Sequence, residues 1–148
     1  MPLQLQPLHP LFAAQASGID IGRPLSPESV REIERAMDQY AVLVFRDQPL
    51  SQEGQLAFAR CFGPLDLGLK KATRPAANLT GYDEIIDISN VDAQGRVYDR
   101  DHRKVVSNLA NQLWHSDSSF QKPAARYSIL HAVVVPPAAL TLTSFQRF

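Results

Sequence analysis

The sequence predicts an α+β chain, with helices early and an antiparallel β half late. Two helix starts and one long β-branched run carry that prediction. The first start is Ser26-Pro27-Glu28. Serine is a favoured N-cap, proline is preset for the first helical turn, and an acid suits the positive end of the helix dipole. Val30, Ile33, Met37 and Tyr40 then recur at helical spacing, so a helix is expected over about 27–39. The second start is Ser51, with Phe58, Cys61 and Phe62 on one face and Gly63-Pro64 as the stop. The β-branched run is 127–135, closed by Pro136-Pro137.

The remaining elements follow in order. Residues 18–27 are turn-rich, and Ala41-Val42-Leu43-Val44-Phe45 is short and wholly apolar, as a buried strand is. Residues 65–82 form a long connection without a period, a length more common in functional loops than in simple connectors. A strand is expected over 84–89, a turn over 92–95, its partner over 96–98, and an exposed charged stretch over 99–104. Residues 113–117 read as extended.

Composition narrows the functional classes. The 148 residues fit one domain, and 45% apolar with 20% charged residues fits a folded chain. Fifteen basic residues balance fifteen acidic ones, which removes the electrostatic case for a nucleic-acid or membrane-surface partner. Cys61 is the only cysteine, so an internal disulfide and a thiolate-rich zinc site are both excluded. A lone thiol, no secretion signal at the start of the sequence and no bilayer-length apolar run together predict cytoplasmic residence.

His115-Ser116-Asp117 is the chemical signal. In an extended segment, alternate residues face the same side, so the imidazole and the carboxylate could grip one cation. Mixed nitrogen and oxygen ligation suits a first-row divalent metal, and a second histidine would complete a facial triad with open positions. Taken alone, the motif reads rather as a hydrogen-bonded histidine beside an exposed acid near a turn. Its surroundings supply the rest.

The segment Asn111-Gln112-Leu113-Trp114-His115-Ser116-Asp117-Ser118-Ser119-Phe120, followed by Pro123-Ala124-Ala125-Arg126-Tyr127-Ser128, resembles the metal-binding segment of the TauD/TfdA family of Fe(II)/2-oxoglutarate-dependent dioxygenases. Further stretches resemble the family in order, among them Val42-Leu43-Val44-Phe45-Arg46, Phe62-Gly63-Pro64-Leu65 and Asp87-Ile88-Ser89-Asn90-Val91. The likeness runs from about Pro7 to Pro137 and is strongest to the aryloxyacetate-degrading members.

The resemblance implies one partial domain over 1–148, a truncated double-stranded β-helix (jelly roll) with N-terminal helices and a divergent tail over 138–148. It implies His115 and Asp117 as catalytic Fe(II) ligands. It also implies 2-oxoglutarate and dioxygen as cosubstrates, ascorbate as a support, and a small-molecule carboxylate as substrate. Asn111 falls where relatives place an amide that orients substrate or dioxygen, and Lys70 where they place a substrate-side lysine. The bland alternatives are a turn asparagine and a solvated lysine. Trp114 either shields the site or packs in the core. Thr141 or Thr143 is the candidate contact for 2-oxoglutarate.

The sequence also departs from the family. The distal histidine and the arginine that clamps 2-oxoglutarate have no counterpart here, and the tail lacks the family's glycines and Asp-Thr pair. A reading-frame slip near codon 138 is the expected cause. His9, His102 and His131 are not expected to supply the third ligand. Three functions follow: an aryloxyacetate-hydroxylating dioxygenase lacking those two groups, a non-catalytic truncated remnant of one, and a metal-dependent hydrolase or isomerase on a similar barrel. Without late strands the chain is expected to be marginally folded.

Overall fold

The computed structural model describes residues 2–66, 81–92, 94–108 and 122–134. Three short strands, β1 (Gln4–Pro7), β2 (Ala14–Ser17) and β3 (Leu43–Phe45), form one sheet in the order β1-β2-β3. Helix α1 (Pro27–Tyr40) joins β2 to β3, α2 (Gln52–Arg60) follows, and α3 (Arg103–Asn108) lies well downstream.

Strands β1 and β2 pair antiparallel, from Gln4 opposite Ser17 to Pro7 opposite Ala14. Strand β3 pairs parallel with β2, with Ala14 opposite Leu43 and Ala16 opposite Phe45. Parallel neighbours need a crossover, and α1 provides it. Ala13 and Ala14 donate to the Tyr40 and Val42 carbonyls at 2.8 and 3.0 Å, which ties the start of β2 to the end of the crossover. Gly18, at φ +83°, turns the chain out of β2, and a Cβ there would sit 2.5 Å from the Pro2 carbonyl oxygen. That position therefore needs glycine.

Helix α1 begins as its sequence requires. The Ser26 hydroxyl accepts the Ser29 N–H at 3.1 Å, and Pro27 occupies the first turn. It ends where Ala41, in the left-handed region at φ 59°, donates to the Met37 carbonyl. Ser51 caps α2 in the same way, accepting from Gly54 at 3.1 Å. Ser26→Ala is expected to cost about 1 kcal/mol, read as a shift in the urea midpoint with an unchanged slope.

The core is small. Ile19, Ile21, Ile33 and Phe58 are buried together, and Leu3, Met37, Leu43, Phe45, Phe62 and Ile129 pack around them. Gln48 staples the loop that carries the two isoleucines. Its Oε1 accepts the Ile21 N–H at 3.1 Å, and its Nε2 reaches the Ile19 carbonyl at 3.5 Å.

The early helices stand where the sequence placed them, while the expectation of late strands is corrected for the described residues. The three strands among the described residues all precede residue 46, and β1 and β2 have no counterpart in the sequence reading. Residues 84–89 and 127–134 form no ladder among the described residues. Ile86, Ile88, Leu130, Val133 and Val134 are exposed, Leu130 at 83%. Strand-forming side chains make a strand only when a second segment satisfies the backbone groups. Strand β3 is half-buried rather than buried, because it is an edge of this sheet. Cys61 is exposed, not part of the apolar face, and its thiol donates to the Ala57 carbonyl. The turn at 92–95 is present, but Arg96–Tyr98 returns against Asn90–Val91 through a single Val91–Val97 bridge. The described residues thus hold a small sheet and a few helices, not a full double-stranded β-helix.

Candidate functional site

Lys70, Asn111, Trp114, His115, Asp117, Thr141 and Thr143 lie outside the described residues. What is described is the framework on either side of the segments that carry the first five.

Upstream of His115, α3 is held by a polar knot. The Lys104 ammonium donates to Asp87 Oδ2 at 2.8 Å and to Ser89 Oγ at 3.2 Å, and the Ser89 hydroxyl donates to the same carboxylate at 2.8 Å. Lys104 holds the Asp87 carboxyl below the usual carboxylate range; partial burial opposes this and the Ser89 hydroxyl adds to it. His102 is exposed, as expected. Its ring stacks on Tyr98 at 3.9 Å, and its Nδ1 accepts the Lys104 N–H at 3.2 Å at the start of α3.

A lowered carboxyl pKa gives pH dependence of known sign. The Asp87–Lys104 pair stabilises the fold fully above the unfolded-state value of roughly 4, and that contribution disappears as pH falls through the lower folded-state value. Asp87→Asn is expected to cost about 0.5–1 kcal/mol at neutral pH. The difference from wild type should shrink toward zero in strong acid, as measured by urea unfolding across pH.

Residues 81–84 dock on α2. The Tyr82 hydroxyl bonds to Glu53, and Arg60 pairs with Glu84 at 3.6 Å. The Tyr82 bond lowers the Glu53 carboxyl and raises the Tyr82 phenol.

Downstream of Asp117, Arg126 pairs with Glu34 of α1 and lies 5.0 Å over the Tyr127 ring. Tyr127 meets Phe62 edge-to-face at 5.7 Å, Phe62 meets Phe58 at 5.2 Å, and Phe58 meets Phe45 at 5.9 Å. This aromatic row runs from the sheet to the 127–134 segment. Tyr127 and Ile129 are half-buried, while Ser128 and Leu130 face out. The alternation of a strand is therefore present without its ladder.

A cavity of about 100 Å³ opens where the two stretches meet. Phe62, Leu65, Asp66 and Ala59 line it from the α2 exit, and Arg126, Tyr127, Ile129 and Ala125 from the downstream segment. The chain leaves the first stretch toward Lys70 and reaches the second from Asp117, so the framework brings together the two places where the predicted site segments attach. The Tyr127 hydroxyl is buried and has no hydrogen-bond partner among the described residues. Sequence reading missed this convergence. Its only signal is the Ala125-Arg126-Tyr127 run, which reads as the beginning of a strand.

Among the described residues, no group of three His, Cys, Asp or Glu side chains could hold a metal. His9 Nδ1 accepts the Leu11 N–H, and its ring rests 4.5 Å from Phe12. No helix among the described residues is long and apolar enough to cross a membrane.

Comparison with known proteins defines the class. Residues 4–139 match the taurine catabolism dioxygenase TauD, TfdA family, and the chain belongs to it. It is 59% identical over 138 residues to the alpha-ketoglutarate-dependent 2,4-dichlorophenoxyacetate dioxygenase of Cupriavidus pinatubonensis, which covers 93% of this chain and 48% of that protein. A protein of the same name from a Burkholderia species is 53% identical over 93% of this chain and 46% of its own length. The chain thus spans about half the length of these curated relatives. The crystal structure of AAD-2 in complex with Mn(II) and N-oxalylglycine matches at a TM-score of 0.67 and 40% identity, over 82% of this chain and 38% of that one.

Proposed function

We propose that this chain carries the metal-ligand half of an Fe(II)/2-oxoglutarate-dependent dioxygenase that hydroxylates an aryloxyacetate of the 2,4-dichlorophenoxyacetate type. The 59% identity to a 2,4-dichlorophenoxyacetate dioxygenase carries this reading. The donor set fits the metal: a neutral imidazole and a carboxylate two positions apart suit Fe(II) and leave positions open. His115 and Asp117 would hold the iron, which when bound supplies the oxidising chemistry with dioxygen and 2-oxoglutarate. Lys70 places a point charge for the substrate carboxylate. The Asn111 amide can donate and accept beside the reacting group. Thr141 or Thr143 supplies a hydroxyl to 2-oxoglutarate. Residues 1–148 act as one partial jelly-roll domain, and the free thiol of Cys61 fits a reducing, cytoplasmic setting.

A second reading is a non-catalytic form of the same enzyme. Succinate formation with Fe(II), ascorbate, 2-oxoglutarate and an aryloxyacetate separates the two. Turnover above a His115→Ala control establishes the dioxygenase; turnover equal to it establishes the non-catalytic form. Product formed without dioxygen would instead indicate a hydrolase or isomerase.

A further inference from the structure

Strand β1 ends the sheet on the side away from β3, so one of its edges has no neighbouring strand among the described residues. The Leu8 N–H donates inward to the Ala13 carbonyl at 2.9 Å. Backbone groups alternate along a strand, so Gln4 and Gln6 also face β2, while Leu3 and Leu5 face the open edge. The Leu3 N–H agrees with this. It turns away from β2 and reaches Glu32 Oε2 of α1 at 3.4 Å, a long bond. Among the described residues, nothing takes the Leu5 N–H or the Leu3 and Leu5 carbonyls. An edge of this kind is a template for another strand.

The edge opens into a groove of about 310 Å³ between β1 and α1. Leu3, Leu5 and Ala36 give it an apolar floor, and Glu32, Arg35 and Gln39 line its α1 side. An added strand would gain affinity from its main chain and specificity from the groove. The charges select which strand. Glu32 and Arg35 stand one turn apart on α1, so the groove carries both signs side by side. Arg35 makes no ion pair among the described residues. A two-fold axis sets Arg35 of each copy beside Glu32 of the other, which makes the surface complementary to itself. The formal net charge of zero puts no overall repulsion between copies.

We infer that β1 is a self-pairing edge, through which two copies of the chain join antiparallel, β1 to β1, into one continuous sheet. Proline selects the register. Pro7 also faces the open edge but has no N–H to give. Centring the two-fold axis on Gln4 keeps the pairing on Leu3 and Leu5, so that Leu3 of each copy exchanges both bonds with Leu5 of the other. Glu32 then releases the Leu3 N–H and meets Arg35 of the second copy. Gln4 falls opposite its own counterpart in a pair without hydrogen bonds, with Cα atoms about 4.5 Å apart. Gln6 falls opposite Pro2, roughly 14 Å from its own counterpart.

The test uses the full chain carrying Cys61→Ser, which removes the exposed native thiol. On mild oxidation, Gln4→Cys is expected to form a disulfide-linked dimer, because its spacing lies within disulfide range. Gln6→Cys is expected to stay uncrosslinked on a non-reducing gel. Both side chains are exposed, so neither change disturbs the core. Sedimentation equilibrium reads the dimer without a crosslink. Arg35→Glu is expected to raise its dissociation constant at least about tenfold by setting like charges together. Adding Glu32→Arg to that variant is expected to recover the dimer, because the opposite charges then meet again. A chain that stays monomeric up to its solubility limit overturns the inference and leaves the edge to a strand of another protein. Equal crosslinking at positions 4 and 6, a dimer unmoved by Arg35→Glu, or a loss that Glu32→Arg does not recover would each overturn it as well.

Discussion

Replacement of Phe58 by alanine is expected to abolish cooperative folding. Phe58 is 7% exposed and is one of four residues that form the buried cluster. It also stands in the middle of the aromatic row, between Phe45 on β3 and Phe62. Removing a buried phenylalanine side chain costs about 3–5 kcal/mol, against a total stability that for ordinary domains is only about 5–15 kcal/mol. With so few buried neighbours, the lost contacts have no larger core to absorb them. The measurement is urea unfolding followed by near-ultraviolet circular dichroism. Leu130→Ala serves as the comparison, because Leu130 is 83% exposed and should shift stability by less than about 0.5 kcal/mol. Equal midpoints for the two variants would show that the aromatic row does not hold the fold.

His115→Ala is expected to remove divalent-metal binding. Losing a partner that merely orients a metal ligand already costs about 10–100-fold in affinity, and loss of a ligand itself should exceed the upper end of that range. Asp117→Ala should behave alike. The double variant should be hardly worse than either single one, since one remaining ligand holds the ion too weakly to matter. Ser116→Ala is the control, because the proposed pairing of His115 with Asp117 gives the hydroxyl between them no part in holding the ion. Titration with Co(II), followed by its visible absorption, reads all four. Equal binding by wild type and His115→Ala would remove the metal assignment and with it the dioxygenase reading.

Helices α1 and α2 were legible because their signals are local, whereas α3, at the end of a stretch read only as charged and exposed, was not. Ser26, Pro27 and Glu28 specify a start within three residues, and both serine caps form the predicted bonds. The buried stripe was only partly legible, since Ala36 is buried with Ile33 while Val30, Met37 and Tyr40 are half-buried. Strands β1 and β2 were not legible. Leu3 and Leu5 do alternate with Gln4 and Gln6, but the run is short and meets Pro7, and Ala14-Gln15-Ala16-Ser17 contains no β-branched residue. What makes them strands is their pairing with each other and with β3. The reverse error arose at 127–134, where β-branched side chains are plentiful but no ladder forms among the described residues. The proposed metal ligands, His115 and Asp117, stand two positions apart and can be picked out in a line of sequence. The cavity cannot, because its walls come from stretches far apart in the chain.

The parallel pairing of β2 with β3 through α1 bears on how this polypeptide is made. Every residue of the sheet and of the buried cluster lies before residue 59. Synthesis proceeds at about 5–20 residues per second, so translation delivers the whole of this platform several seconds before it reaches His115. The ribosome thus releases the proposed iron-ligand motif toward a scaffold whose parts are already outside the exit tunnel.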